Sequence, residues 1–410
     1  MSAAEQRRGL WEVAHERGMT RRRFLWLLSA GGATAVMAAC TGTRSPSSTP
    51  TSTAPAVEGL PWFKDPAPFI MHGTKGLESR LENMEGLITP YRLFFVRNNS
   101  VSIEVNPDDW SLSIEGDAVA APVELSYGEV TAMESRTLEA YLECAGNHRA
   151  MFDLVNGQAA KGDQWKTGAV GNAEWTGVPL GDVLRAAGIR EDAVSVLLIG
   201  MDIDSPEAGF RRVIPAEVAM DPDTLLVHGM NGETLPRDHG YPLRALVPGW
   251  VGSTSIKWLS RIVVSSEQQW ARNNTTSYVL IGDDYPPEGE ALGQVVTTQS
   301  IKSALALPWP AELDAGTHRI GGYAHSPAGR VAEVEWSDDS GRTWHRADLI
   351  GPQARLGWVR FELSWEASAG MYTVMTRATD VAGNTQPDQV PFNEKGYLFD
   401  QPLPHPIRVV

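Results

Sequence analysis

The feature that most restricts the fold of this 410-residue chain is a period-two pattern near its end. In AEVEWSDDSGRTWHRADL (332–349), Ala332, Val334 and Trp336 alternate with Glu333 and Glu335. The chain turns at Asp338-Asp339-Ser340-Gly341 and returns through Trp344. WVRFELSW (358–365) alternates again, with Val359, Phe361, Leu363 and Trp365 on one face, and YTVMTRATD (372–380) follows before the turn VAGNTQP. Successive side chains of a strand point to opposite faces, so this period demands half-buried strands. Short strands with turn signals at regular spacing predict a β-sandwich of immunoglobulin-like type over 293–410. Such modules often serve assembly, so chemistry is expected elsewhere in the chain.

The stretch 61–292 has another texture. WSLSIEG (110–116) alternates and ends in Glu-Gly, a strand followed by a turn. PLGDVLRAAGI (179–189) places Leu180, Val183, Leu184 and Ala187 on one helical face, with Gly188 as a stop. SVLLIGMD (195–202) is a short apolar run between polar residues, which predicts a buried strand. The mixing is irregular, without the steady alternation of a doubly wound sheet, and favours an α+β fold.

Composition narrows the function. Hydrophobic residues make up 42% and charged residues 21%, an ordinary globular balance. The 35 basic and 50 acidic residues leave a net charge of −15, which argues against general nucleic-acid binding because that needs a basic surface. An anionic substrate must therefore be drawn by a local basic pocket. Two cysteines build neither a disulfide framework nor an iron–sulfur centre, and no Cys-x-x-Cys-His is present for covalent haem.

Residues 1–40 read as an address. Arg21-Arg22-Arg23-Phe24-Leu25 precedes a modestly apolar run to Ala39, the pattern of a twin-arginine export signal. That run of about 16 residues, with Gly31-Gly32, is short for a membrane span. Ala38-Ala39 before Cys40 has the form of a lipoprotein cleavage site, although Met37 stands where Leu is usual. The expected location is the periplasm or the outer face of the cytoplasmic membrane, with Cys40 as the lipid anchor. Ser/Thr/Pro-rich 41–60 reads as a flexible tether.

Cys144 is then the one thiol of the folded body, in YLECAGNHRA (141–150). A structural cysteine needs no arginine five residues on. A thiolate that ligates a metal or attacks a substrate is favoured by nearby positive charge and hydrogen-bond donors. An export route that carries folded proteins suits an enzyme loaded with its cofactor beforehand.

Several stretches fall into one order: FFVRNN (94–99), ECAGNHR (143–149), QWKTGAVGNAEWTGVPLGDVL (164–184), MNGETLPRDHGYPLRALVPGWVGSTSIKWL (230–259) and the trailing sandwich. Together they resemble the sulfite oxidase family of molybdopterin-dependent enzymes, over roughly residues 75–410. The resemblance implies that Cys144 is the protein's thiolate ligand to molybdenum, beside the cofactor's dithiolene sulfurs. Phe95, Arg97, Asn98 and Asn99 match the loop that approaches cofactor and substrate. Asp202 matches a pterin-contacting acid, with Asp204 close enough to compete. His239 and Arg244 match residues that hold the cofactor's phosphate and pterin, and Ser255, Ile256 and Lys257 match a further contact segment. Arg149 and Arg97 match residues that grip a sulfur oxyanion, Trp165 an aromatic wall, and Tyr278 the phenol near the metal, with Tyr285 as its competitor. Arg355 and Arg360 are candidates for the arginine the sandwich often contributes. Two positions depart from the pattern: Asn99 stands where His is common, and His148 where Arg is frequent. Both adjoin pocket residues and bear on the substrate.

The implied activity is oxidation of sulfite, or a related sulfur oxyanion, to sulfate by an exported molybdenum enzyme. Electrons would pass to an external acceptor, a cytochrome or a quinone-linked carrier, without haem or iron–sulfur in this chain. The implied assembly is a homodimer through the sandwich. A reductive reading, as in periplasmic sulfoxide reductases, shares the cofactor fold and the export signal, but those enzymes generally lack the sandwich. A surface lipoprotein that binds a ligand without turnover would carry no metal.

Overall fold

The computed structural model describes residues 61–410. The export signal, the Cys40 anchor and the tether lie outside the described residues. Two five-stranded sheets dominate the first part of the α+β body, beside a three-stranded and a two-stranded one. One joins Val123–Ser126, Ser111–Glu115, Leu259–Ser265, Ser195–Gly200 and Arg211–Pro215 in that order, with only the Leu259–Ser265 to Ser111–Glu115 pair parallel. The other joins Glu233–Thr234, Leu225–Met230, Val170–Pro179 and Arg136–Glu143, with Arg244–Leu246 added beside Leu225–Met230. The alternation of WSLSIEG is realised as Leu112 and Ile114 facing inward.

The helix Leu180–Ala186 packs Leu180, Val183 and Leu184 into the core formed with Leu112, Val196 and Ile262. Each such side chain contributes about 1.5–3 kcal/mol by leaving water. Gly188 then takes φ +72°, a left-handed value that suits glycine and ends the helical run.

The second part is an immunoglobulin-like β-sandwich. Its sheets run Lys302–Leu305, Gly316–His325, Val359–Ala367, Asp348–Ile350 and Ala311–Leu313, His405–Val409, Gly370–Asp380, Val331–Ser337, His345–Arg346. Val359, Phe361, Leu363 and Trp365 all face the core. One expectation fails: Ala332 is exposed and Val331 is buried in its place. The register of Val331–Ser337 against Gly370–Asp380 shifts between Val331 and Glu333. An extra residue on one strand reverses the facing of the residues beyond it, which strict alternation does not foresee.

The two parts meet behind Cys144. Glu143 ends the strand Arg136–Glu143, and its carboxylate Oε1 accepts from Lys302 Nζ at 2.7 Å and Asn147 Nδ2 at 2.9 Å. The segment after the sandwich strand Gly370–Asp380 returns to the first part, where Leu398 N–H donates to Ala145 O at 3.0 Å.

Candidate active site

Cys144 sits at the carboxyl end of a strand, where the chain makes a tight turn. Its N–H donates to Ala169 O at 2.9 Å, and its carbonyl accepts from Asn147 N at 2.9 Å. The turn uses glycine for space: a Cβ at Gly146 would overlap the Arg149 guanidinium. His148 follows at φ +70° and caps the helix Arg149–Asn156. Gly252 brings a second turn against this one, since a Cβ there would lie 2.7 Å from Glu143 O.

Between these turns lies an open cleft, whose atom-free space of about 710 Å³ includes the solvent at its mouth. Its lining includes Phe95, Arg97, Asn98, Asn99, Cys144, Asp202, His239, Arg244, Ser255, Ile256, Lys257 and Tyr278. Five separated stretches of sequence thus converge on one space. Asp202 lines it, with Oδ1 accepting from Phe210 N at 2.8 Å, and burial raises its carboxyl pKa. Asp204 is exposed and outside the lining. Tyr278 lines the cleft, and its hydroxyl makes no hydrogen bond among the described residues; burial first of all raises its pKa, so it remains a proton-bearing donor. Tyr285 instead donates to Pro391 O at 3.3 Å, away from the cleft.

Other residues named from the sequence stand elsewhere. Trp165 is fully buried outside the lining, packed 4.4 Å from the His72 ring. Phe94 and Phe210 supply aromatic surface to the cleft. Arg149 also stays behind the lining. Its Nε donates to Lys395 O at 2.6 Å, its Nη1 to Asp163 O at 2.8 Å, and its guanidinium lies 5.1 Å over the Tyr397 ring. His148 is buried on the other side, against a second, smaller cavity that it shares with Lys302 and His325. Of the sandwich arginines, Arg355 is exposed and pairs with Asp223, and Arg360 does not line the cleft.

The electrostatics divide the cleft into two ends. At one end burial pushes the Cys144 thiol up, while the Arg149 and Arg97 guanidiniums pull it down. Arg97 also faces the Asp163 carboxylate at 3.6 Å. A soft sulfur in this field is a ligand for a soft-ligated metal. At the other end are His239, Arg244 and Lys257. Arg244 donates to His239 O and Ser255 O, each at 2.9 Å, and lies 5.1 Å over the Trp175 ring. Lys257 donates to Asp238 O at 2.9 Å and to the Asn98 side chain. Among the described residues neither cation makes an ion pair. Burial lowers Arg244 to about 9 and takes Lys257 well below its usual range. Ser253 Oγ, in the same lining, is buried without a hydrogen-bond partner among the described residues.

Buried cations without a direct carboxylate partner are costly unless an anion arrives, so this end fits a phosphate. A thiolate site at one end, a phosphate cradle at the other and an open cleft between them fit a phosphorylated, metal-bearing cofactor. Phe94, Phe210, Ser253 and Trp258 line the same cleft and were not singled out in the sequence; Phe94 and Ser253 adjoin residues that were, whereas Phe210 carries no such signal.

The chain is similar to known families over both parts. Residues 98–272 match the oxidoreductase molybdopterin binding domain, and residues 294–401 match the Mo-co oxidoreductase dimerisation domain. It is 33% identical to the mitochondrial sulfite oxidase of Drosophila melanogaster over 81% of this chain and 62% of that protein. It is 35% identical to the sulfite oxidase of Gallus gallus over 77% of this chain and 72% of that protein. The chain spans about three fifths of the length of the mitochondrial relatives it matches. The crystal structure of the sulfane dehydrogenase SoxCD from Paracoccus pantotrophus superposes with a TM-score of 0.73 at 26% identity, covering 90% of this chain and 100% of that one. The chain belongs to the sulfite oxidase family of molybdopterin-binding oxidoreductases.

Proposed function

We propose that the protein is an exported molybdenum enzyme that oxidises sulfite, or a related small sulfur oxyanion, and passes the electrons to an external acceptor. The observation that carries this reading is the buried thiol of Cys144, the one cysteine among the described residues, beside two guanidiniums at one end of a cleft whose other end is a cationic cradle without a direct ion pair. Cys144 would ligate the metal. Arg244, Lys257 and His239 would hold the cofactor's phosphate, and Asp202 would meet its pterin. When bound, the cofactor supplies two-electron redox chemistry at a soft-ligated metal.

The chain's own residues do the rest. Arg97 reaches the thiol end and can donate charge-assisted hydrogen bonds to an oxyanion. Tyr278 stands in the same lining with a free hydroxyl donor. Its ring is stacked on Tyr397 at 5.4 Å, and Tyr397 in turn donates to Ser277 O at 2.9 Å, which fixes the phenol's place. Apolar walls from Phe94, Phe95, Phe210 and Leu142 keep water sparse around these donors and strengthen them. The electrons leave to a cytochrome or a quinone-linked carrier, and the matched dimerisation domain supports a homodimer. Export by the Arg21-Arg22 signal, with Cys40 as lipid anchor, belongs to the same reading.

The test is turnover of molybdenum-loaded protein with sulfite against a series of acceptors, together with metal analysis. Sulfite-dependent reduction of an acceptor with about one molybdenum per chain is expected, from one thiolate ligand for one centre. A second reading has its own observation: Arg149 is held by two carbonyls and Arg97 faces Asp163, which leaves the thiol end less cationic than its arginines suggest. That favours a neutral sulfur substrate. Turnover of a sulfoxide or thioether, and not of sulfite, decides for it.

A further inference from the structure

The cradle has a member from outside the matched domain. Lys64 lies in the segment that precedes the cleft motifs and is buried. Its Nζ is 2.6 Å from Tyr91 O, 3.0 Å from Phe94 O and 2.8 Å from His239 Nε2. The segment is tied down around it. Phe63 N–H donates to both Asp238 carboxylate oxygens at 3.0 and 3.1 Å, and Arg237 lies 5.1 Å over the Phe63 ring.

These three contacts can be satisfied in two ways. An ammonium has three donors and no acceptor, so a charged Lys64 donates to all three and leaves His239 protonated on Nδ1. A neutral amine has two donors and one lone pair, so it donates to the carbonyls and accepts from His239 Nε2–H. His239 lines the cleft, the Tyr91 carbonyl also lies at its ring, and no side chain among the described residues bonds its Nδ1. In the first state that nitrogen offers a donor to an anion; in the second it offers a lone pair, which repels one.

We propose that Lys64 and His239 form a proton-coupled sensor of the cofactor's phosphate, in which anion binding draws one proton onto the pair. This rests on the cradle being the phosphate site. The Nε2 proton passes to the Lys64 amine, and Nδ1 takes one from water, so the net change is one proton taken up from solvent. The surroundings set both states close in energy. Burial lowers Lys64 to about 7, opposed by Asp238, and His239 is held neutral by burial with Lys64, Lys257 and Arg244 around it. The rings facing Lys64 are Phe69 and Tyr91, each 5.5 Å away. Asp202 is the other acid of the cradle, and it faces Lys257. A dianion beside His239 adds the negative charge that tips the pair to ammonium and Nδ1–H.

Positioning is thus the role of Lys64, and it is read without turnover. The cofactor-free full chain is titrated calorimetrically at pH 8 with sulfate, whose charge does not change near that pH, in two buffers of different ionisation enthalpy. Nitrogen-15 spectra of labelled histidines, with His239→Gln to assign the signal, follow the tautomer. Expected are uptake approaching one proton per sulfate, conversion of His239 from Nε2–H to Nδ1–H, and much less uptake at pH 6. Lys64→Met is expected to abolish the uptake and weaken sulfate at least tenfold. Uptake that persists in Lys64→Met belongs to Lys257 and overturns the role of Lys64. A His239 ring that keeps one tautomer to saturation in the parent chain overturns the coupling, whether or not the variant folds. Absence of sulfate binding in the parent chain overturns the cradle itself, and this proposal with it.

Discussion

Lys302 and Lys257 are two inward lysines of one molecule, and they differ in company. Lys302 Nζ lies 2.7 Å from Glu143 Oε1, and the two side chains are 1% and 0% exposed. Lys257 opens onto the cleft and, among the described residues, hydrogen-bonds only the Asp238 carbonyl and the Asn98 amide, with no direct ion pair. A buried charge is tolerated when an opposite charge and hydrogen bonds meet it. Lys302 is complete within the protein and stitches the sandwich to the strand that leads into Cys144. Lys257, with Arg244 and Lys64, is incomplete, and an incomplete buried cation marks a place for an anion that the chain does not encode.

The largest effect expected from this contrast is at the complete site. Lys302→Met should cost about 3–5 kcal/mol of stability, because it strands the Glu143 carboxylate in the interior. The loss should appear with or without cofactor, and pairing it with Glu143→Gln should recover part of it. Denaturation midpoints measure this; an unchanged midpoint for Lys302→Met breaks the contrast.

At the incomplete site the reverse holds. Cofactor-free Lys257→Met should be no less stable than the parent. Sulfate at a hundred times its dissociation constant should stabilise the parent by about 2.7 kcal/mol, and the variant far less at the same concentration. Thermal melts across a sulfate series check both statements together.

Arg97 offers the next test. Arg97→Met should lower kcat/KM for sulfite by about 1.5–3 kcal/mol, or roughly tenfold to a hundredfold, the range of hydrogen bonds to a charged group. Arg149→Met should act more on stability, since its guanidinium bonds to carbonyls and packs on Tyr397. Steady-state kinetics that rank the two variants the other way would return Arg149 to the substrate.

The pH dependence follows from Lys64. Its folded value of about 7 lies below the unfolded range, so between the two the unfolded chain holds a proton that the folded chain has released. Through Lys64 the stability of the cofactor-free protein should therefore rise with pH from about 7 towards 10, by up to about 1.4 kcal/mol per unit, and Lys64→Met should remove that share of the slope. Urea titrations at several pH values measure the slope. The smallest effect on stability is expected for Cys144→Ser, within about 1 kcal/mol for so small an exchange. The same variant should lose the metal, because a hydroxyl is a harder and far less acidic donor than a thiol.

The sequence by itself determined the strands of the sandwich, the helix Leu180–Ala186 and the stretches that meet at the cleft. Those signals are local: a period of two or 3.6 residues, or a motif whose neighbours travel with it. It could not determine where individual side chains of a motif turn. In ECAGNHR, Cys144 enters the cleft, His148 faces the opposite cavity, and Arg149 stays behind the lining. That split depends on a left-handed residue at 148 and on carbonyls of Asp163 and Lys395, the latter 246 positions away. Ala332 faced outward because a bulge shifts the register, and a bulge belongs to a strand pair rather than to one strand. Trp165 sank into the core against His72, and Asp202 prevailed over Asp204 because only it turns in to meet Phe210 N–H. Lys64 joined the cradle with no motif to announce it, across 175 residues from His239. Only the folded chain brings such partners together, because side-chain direction and charge compensation are settled by what packs alongside in space.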